Sequence, residues 1–82
     1  MHKHVTIEVG IDEDDTHTLV HITLDLRGDH FDATGKSKRN PTDPNIPVIG
    51  EEIALARALG SLEEQLVDRA YARIDGATSL IG

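Results

Sequence analysis

The 82-residue chain carries fifteen acidic and eight basic side chains, a net charge of −7, with one Phe, one Tyr and neither Trp nor Cys. Such a chain makes a single domain with a small aliphatic core, able to bury only about 60–65% of its unfolded surface, so a partner subunit would help it. Disulfides and thiolate metal sites are excluded, and the acidic surface repels phosphate at long range, so free double-stranded nucleic acid is not an expected partner.

The first segment, MHKHVTIEV, has no apolar leader pattern, and no stretch approaches membrane-spanning length. A cytoplasmic protein with no membrane partner is expected. Val5, Ile7, Val9 and Ile11 then alternate with Thr6, Glu8 and Gly10, the period of a strand with one buried face. The run Asp12-Glu13-Asp14-Asp15-Thr16 follows as a solvated hairpin loop. It is no calcium loop: His17 stands where the turn glycine belongs and Thr23 where the bidentate glutamate belongs.

A second strand places Val20, Ile22, Leu24 and Leu26 inward and Leu19, His21, Thr23 and Asp25 outward, and Arg27-Gly28-Asp29-His30 is the next turn. A third strand presents Phe31, Ala33, Gly35 and Ser37 on the inner face, where small residues leave room for a helix, and Asp32, Thr34, Lys36 and Lys38 on the other.

Pro41, Pro44 and Pro47 exclude regular structure between the last strand and a helix that starts at about Pro47, a suitable first-turn residue. Glu51 and Glu52 are expected near the positive end of that helix. Ile49, Ile53, Ala56, Leu59, Leu62, Leu66, Ala70 and Ile74 recur at steps of three and four and form the predicted sheet-facing stripe, with Arg57, Ser61, Gln65, Asp68 and Ala72 opposite. Gly60, followed by the capping-box spacing of Ser61 and Glu64, is the expected place for a kink or restart. Asp75 to Gly82 reads as a tail or a short turn of helix. These elements predict an α+β domain over residues 1–82: a three-stranded antiparallel meander with one long helix packed on one face, both outer strands remaining sheet edges.

The central run Asn40-Pro41, Asp43, Asn45, Pro47, Ile49-Gly50, Glu52, Ala56-Arg57-Ala58-Leu59 and Leu62 resembles the signature of a family of small, mostly actinobacterial proteins of unassigned function. The likeness covers about half of the chain closely. It implies a β-β-β-α chain with a fold like the double-stranded-RNA-binding domain, forming a homodimer. The resembled family includes mycobacterial members induced in dormancy and hypoxia, and one mycobacterial relative is likened in shape to ribosome hibernation-promoting factors. The resemblance therefore implies a stress-linked role at the ribosome. Glu51 and Glu52 occupy the helix start where RNA-binding relatives of the fold carry lysines.

Five histidines, at 2, 4, 17, 21 and 30, raise the question of a metal site. If Val9 pairs with Val20 and Leu26 with Phe31, then His4 and Asp32 both face Asp25, and Glu8 faces His21. Opposed carboxylates want a proton or a cation, so His4, Asp25 and Asp32 are the weak metal candidates. Lys36, Lys38 and Arg39 read either as a charged edge that discourages aggregation or as a contact for a partner. Arg57 reads as a partner contact or as an ion pair with its own helix. Ser37, Ser61 and Ser79 lie in no nucleophile elbow and the glycines form no phosphate loop, so neither an enzyme nor a cofactor is expected. The expected function is a regulatory binding module, with a metal- or small-ligand-binding protein and a protein-binding adaptor as alternatives.

Overall fold

The computed structural model describes residues 1–81, with side chains through residue 77. Three strands, β1 (Ile7–Glu13), β2 (His17–Leu26) and β3 (Asp29–Lys38), precede one helix, α1 (Pro47–Ile81). The strands form an antiparallel meander in the order β1-β2-β3, and the helix lies across one face. The α+β architecture expected from the alternation and the proline-rich connection is the one observed.

Both hairpin turns follow from local chemistry. Arg27 (φ 54°) and Gly28 (φ 86°) make a two-residue turn with positive φ at both positions, the hand that matches strand twist. That turn closes directly on a Leu26–Asp29 pair, so Asp25 faces His30 and Thr23 faces Asp32. In the first hairpin the Asp14 carboxylate accepts from the backbone N–H of Thr16 (2.9 Å) and of His17 (2.8 Å), which organises the acidic loop. Here Ile7 pairs with Leu24, Val9 with Ile22 and Gly10 with His21. Each ladder is therefore displaced by two residues from the register inferred from the sequence, and Glu8 faces Thr23 rather than His21.

Val20, Ile22, Leu24, Phe31 and Ala33 from the sheet and Ala54, Ala58 and Leu62 from the helix form the core. Gly35 is what allows the approach. A Cβ at that position would stand 2.0 Å from the Ala54 carbonyl oxygen and 2.4 Å from the Ala58 nitrogen, so helix backbone lies directly on strand backbone.

This contact sets the helix rotation. Ala54 and Ala58 are fully buried, whereas Ile49, Ile53, Leu59 and Ile74 of the predicted stripe are 41–57% exposed. Ser61 and Gln65, assigned to the outer side from the sequence, are half-buried. The helix runs unbroken through Gly60 and on to Ile81, so there is no restart, and the segment from Asp75 is helical. The side chains of Leu80 and Ile81 lie outside the described residues. Its first turn holds no acid, because Glu51 and Glu52 begin the second.

A helix about 10 Å across roofs about two strands spaced about 4.8 Å apart. The two roofed here are β2 and β3. Ile7, Val9 and Ile11 face the helix side through their pairing with Leu24, Ile22 and Val20, yet they remain 42–48% exposed. The expectation that β1 buries its apolar face therefore fails. The helix also outruns the sheet, since every described residue after Leu66 is exposed. The last tie among the described side chains is ionic: Arg69 donates to Asp29 at 2.9 Å and lies over the Phe31 ring, and Arg73 donates to the other Asp29 oxygen. The radius of gyration is 17.0 Å, against about 12 Å for a compact chain of this length.

Candidate functional site

Arg39 and Arg57 serve the fold. Arg39 donates to the carbonyls of Asp15 (3.0 Å) and Asp43 (3.0 Å), bracketing the acidic loop to the proline segment. Arg57 donates to the Lys36 carbonyl at 2.6 Å and Gln65 to the Asp32 carbonyl at 2.7 Å. Together they cover part of the β3 edge with donors. The ion pair with its own helix, expected for Arg57, is replaced by this bond across to the strand. Lys36 and Lys38 project from β3 on the face away from the helix, and neither forms an ion pair among the described residues. Of the predicted partner-binding residues these two keep free charge.

The same outer face carries a chain of acids and histidines. His30 lies between two carboxylates, with Nδ1 2.7 Å from Asp25 Oδ1 and Nε2 2.5 Å from Asp32 Oδ2. The other Asp32 oxygen is 2.7 Å from Nε2 of His21. A ring that donates from both nitrogens must be an imidazolium. Its hydrogen bonds to Asp25 and then Asp32 raise the His30 pKa above the ordinary histidine value. The bond from His21, followed by that from His30, holds Asp32 below the usual carboxylate range.

Asp25 and Asp32 do share a neighbour, but the cation between them is His30, where the sequence reading placed His4. The ring of His4 meets His2, with Nε2 atoms 3.1 Å apart. It also lines a shallow hollow beside Glu8, Thr23 and Asp25. Among the described residues no group of three or more His, Asp or Glu is placed to hold a metal ion. The roles of His21 and His30 were missed, although the two-residue turn at Arg27-Gly28, which fixes the β2–β3 register, was visible in the chain.

On the helix side a cavity of about 530 Å³ opens where the β1–β2 hairpin, the proline segment and the start of α1 meet. Its walls are Ile46, Ile49 and Ile53, its inner end holds Thr18 and Ser37, and Glu13 stands at its side. The Glu13 carboxyl lies in hydrogen-bond reach of Glu51 and keeps its proton to higher pH than usual because of that contact. Among the described residues no helix is long and apolar enough to cross a membrane.

Comparison with known proteins gives a consistent result. A family model described as Rv2632c-like matches residues 3–80. An uncharacterised protein of Mycobacterium bovis, Mb1767, is 32% identical over 76 residues, spanning 93% of this chain and 81% of its own. The uncharacterised protein Rv2632c of Mycobacterium tuberculosis is 33% identical over 76 residues, with 93% and 82% covered. The crystal structure of Rv2632c superposes with a TM-score of 0.88 at 32% identity, over 95% of this chain and 93% of that one.

Proposed function

The chain belongs to the Rv2632c-like family, and we propose that it is a non-enzymatic regulatory binding protein that works in the cytoplasm as a homodimer. Its macromolecular partner in this reading is the ribosome or the translation machinery, engaged under stress or dormancy. The observation that carries the reading is the unroofed face of β1, where Ile7, Val9 and Ile11 stand 42–48% exposed beside a free strand edge. The exposed Leu59, Val67, Tyr71 and Ile74 on α1 add to it.

Apolar surface left open in this way favours association, and a helix overhang tied to its sheet only through two arginines among the described side chains is marginal in water. A second copy is the economical partner, because it brings an equal unpaired edge and an equal apolar stripe. Lys36 and Lys38 then supply the local positive charge for an anionic surface, while the net charge of −7 discourages non-specific binding to nucleic acid.

Sedimentation equilibrium across roughly 10–100 µM tests the dimer, and a monomer throughout that range would contradict it. Ribosome pelleting at increasing salt tests the partner. Binding that falls with salt and is lost in K36E/K38E is expected, and binding indifferent to both would remove the ribosome. A second reading, a small-ligand surface on the outer sheet face, is favoured by the linked His21, Asp32, His30 and Asp25 side chains. Zinc titration read by NMR at His4, His30 and Asp25 tests it, and unchanged spectra would end it. A pull-down that survives nuclease would instead favour a protein-binding adaptor.

A further inference from the structure

The cavity of about 530 Å³ at the start of α1 lies within the range of small-molecule sites, about 300–1,000 Å³. Its construction is asymmetric. Ile46, Ile49 and Ile53 give it an apolar wall, and these three side chains are 41–49% exposed. Its inner end is polar. Thr18 is only 8% exposed, and none of the side-chain hydrogen bonds among the described residues engages its hydroxyl. The neighbouring Ser37 hydroxyl is already committed, donating to the Gly50 carbonyl at 2.8 Å. No side-chain N or O atom among the described residues is both fully buried and unpartnered, so this hydroxyl opens onto the cavity, where a ligand can reach it.

The space in front of Thr18 exists because residue 50 is glycine: a Cβ there would come within 3.1 Å of Thr18 Oγ1 and 3.3 Å of Ser37 Oγ. Directly across the β1–β2 ladder from Thr18 is Glu13, and side chains so paired share one face at about 5 Å between Cβ atoms. An acceptor carboxylate and a hydroxyl thus converge at the polar end. Lys38 and Arg39 also line the cavity, but the acids outnumber them: Asp14, Asp15, Asp43 and the adjoining Glu51 join Glu13 and leave the field negative.

We propose that this cavity is a binding site for a small organic cation, an apolar carbon skeleton bearing one primary ammonium group. The ammonium donates to the Glu13 carboxylate and to Thr18 Oγ1, and the skeleton lies against Ile46, Ile49 and Ile53. A carboxylate ligand of the same shape is repelled by the surrounding acids. An uncharged one keeps the apolar contact and loses the ion pair. The site does not depend on the dimer reading, because every group it uses comes from one chain.

The test is an NMR titration of the ¹⁵N-labelled full chain with three probes of similar shape: phenethylamine, 2-phenylethanol and 3-phenylpropionate. Saturable shifts centred on Thr18, Ser37 and Gly50 are expected for the amine. The alcohol should bind about three- to tenfold more weakly, as suits a partly exposed ion pair, and the acid more weakly still. E13Q should remove most of the amine's advantage over the alcohol, leaving only the part due to the neighbouring acids, and T18V should weaken the amine while sparing the spectrum elsewhere. Glu13 is exposed, so its substitution leaves the core intact. An amine that gives no saturable shift at these residues overturns the proposal. So does an acid that binds as well as the amine, or an amine preference undiminished in E13Q.

Discussion

Replacing Gly35 with alanine is the sharpest test of how the two layers are held. The added methyl would lie 2.0 Å from the Ala54 oxygen and 2.4 Å from the Ala58 nitrogen, both helix backbone. No rotamer change relieves a clash with backbone, so α1 must withdraw by roughly 1.5 Å to restore ordinary contact, and a gap of that size forfeits most of the dispersion between the facing surfaces. Overpacking a core typically costs about 1–3 kcal/mol. The rigid obstacle places this case at about 3 kcal/mol or above, because Ala54, Ala58 and Leu62 lose contact together. A domain of this length has roughly 4–12 kcal/mol in total. Urea denaturation followed by far-ultraviolet circular dichroism, at one fixed protein concentration, should show the midpoint falling by about 3 M or more at an m-value near 1 kcal/mol/M. A loss below about 1 kcal/mol with an unchanged slope would refute the backbone-on-backbone contact.

Gly60→Ala should act in the opposite sense, since nothing lies within 4 Å of a Cβ there. The helix should gain about 0.5–1 kcal/mol in the same denaturation assay, and a loss would mean that Gly60 has a role beyond the helix. Val9→Lys on the open face of β1 should shift the sedimentation profile from dimer to monomer while the circular dichroism spectrum stays the same; a dimer that persists would move the interface elsewhere. The His30 cluster makes stability depend on pH in two directions. Because its folded-state pKa is raised above 6.5, the His30 contribution is complete below that value and drains away as pH climbs through the raised one. Because the Asp32 value is lowered below 3.8, its contribution is present above that point and is lost as pH falls through the lowered one. An NMR titration of the His30 ring should give a midpoint above the ordinary histidine value that moves down in D25N, and a midpoint at or below the ordinary value would break the bridging geometry.

Much of the fold was legible in the chain, and the errors have physical causes. The inward series Val20, Ile22, Leu24 and Phe31, Ala33, Gly35 was readable because a strand buried on one face repeats every second residue. That same period cannot separate registers two residues apart, which is why Asp25 was set against Asp32 instead of His30. Turn chemistry carries the missing information, since a two-residue turn at Arg27-Gly28 leaves one register. The helix rotation was misjudged for a different reason. Bulk at Ile53 and Leu59 marked the most apolar stripe, but closeness chose Ala54 and Ala58, the side chains small enough to meet Gly35. The open face of β1 could not be read from an alternating pattern, because covering a third strand depends on the width of the roof. The basic cluster was visible, while the carbonyl partners that occupy Arg39 and Arg57 appear only once loop and edge are brought together.

The overhanging end of α1 has a mechanical meaning. Beyond Leu66 the helix extends about 20 Å past the body that steadies it, clamped near its root by the Arg69 and Arg73 bonds to one aspartate. A rod anchored in this way is a lever: whatever grips its far tip also sets the angle at which the strand platform is presented. Shortening the rod by one residue would swing that platform through about 100°, so its length governs aim as well as reach.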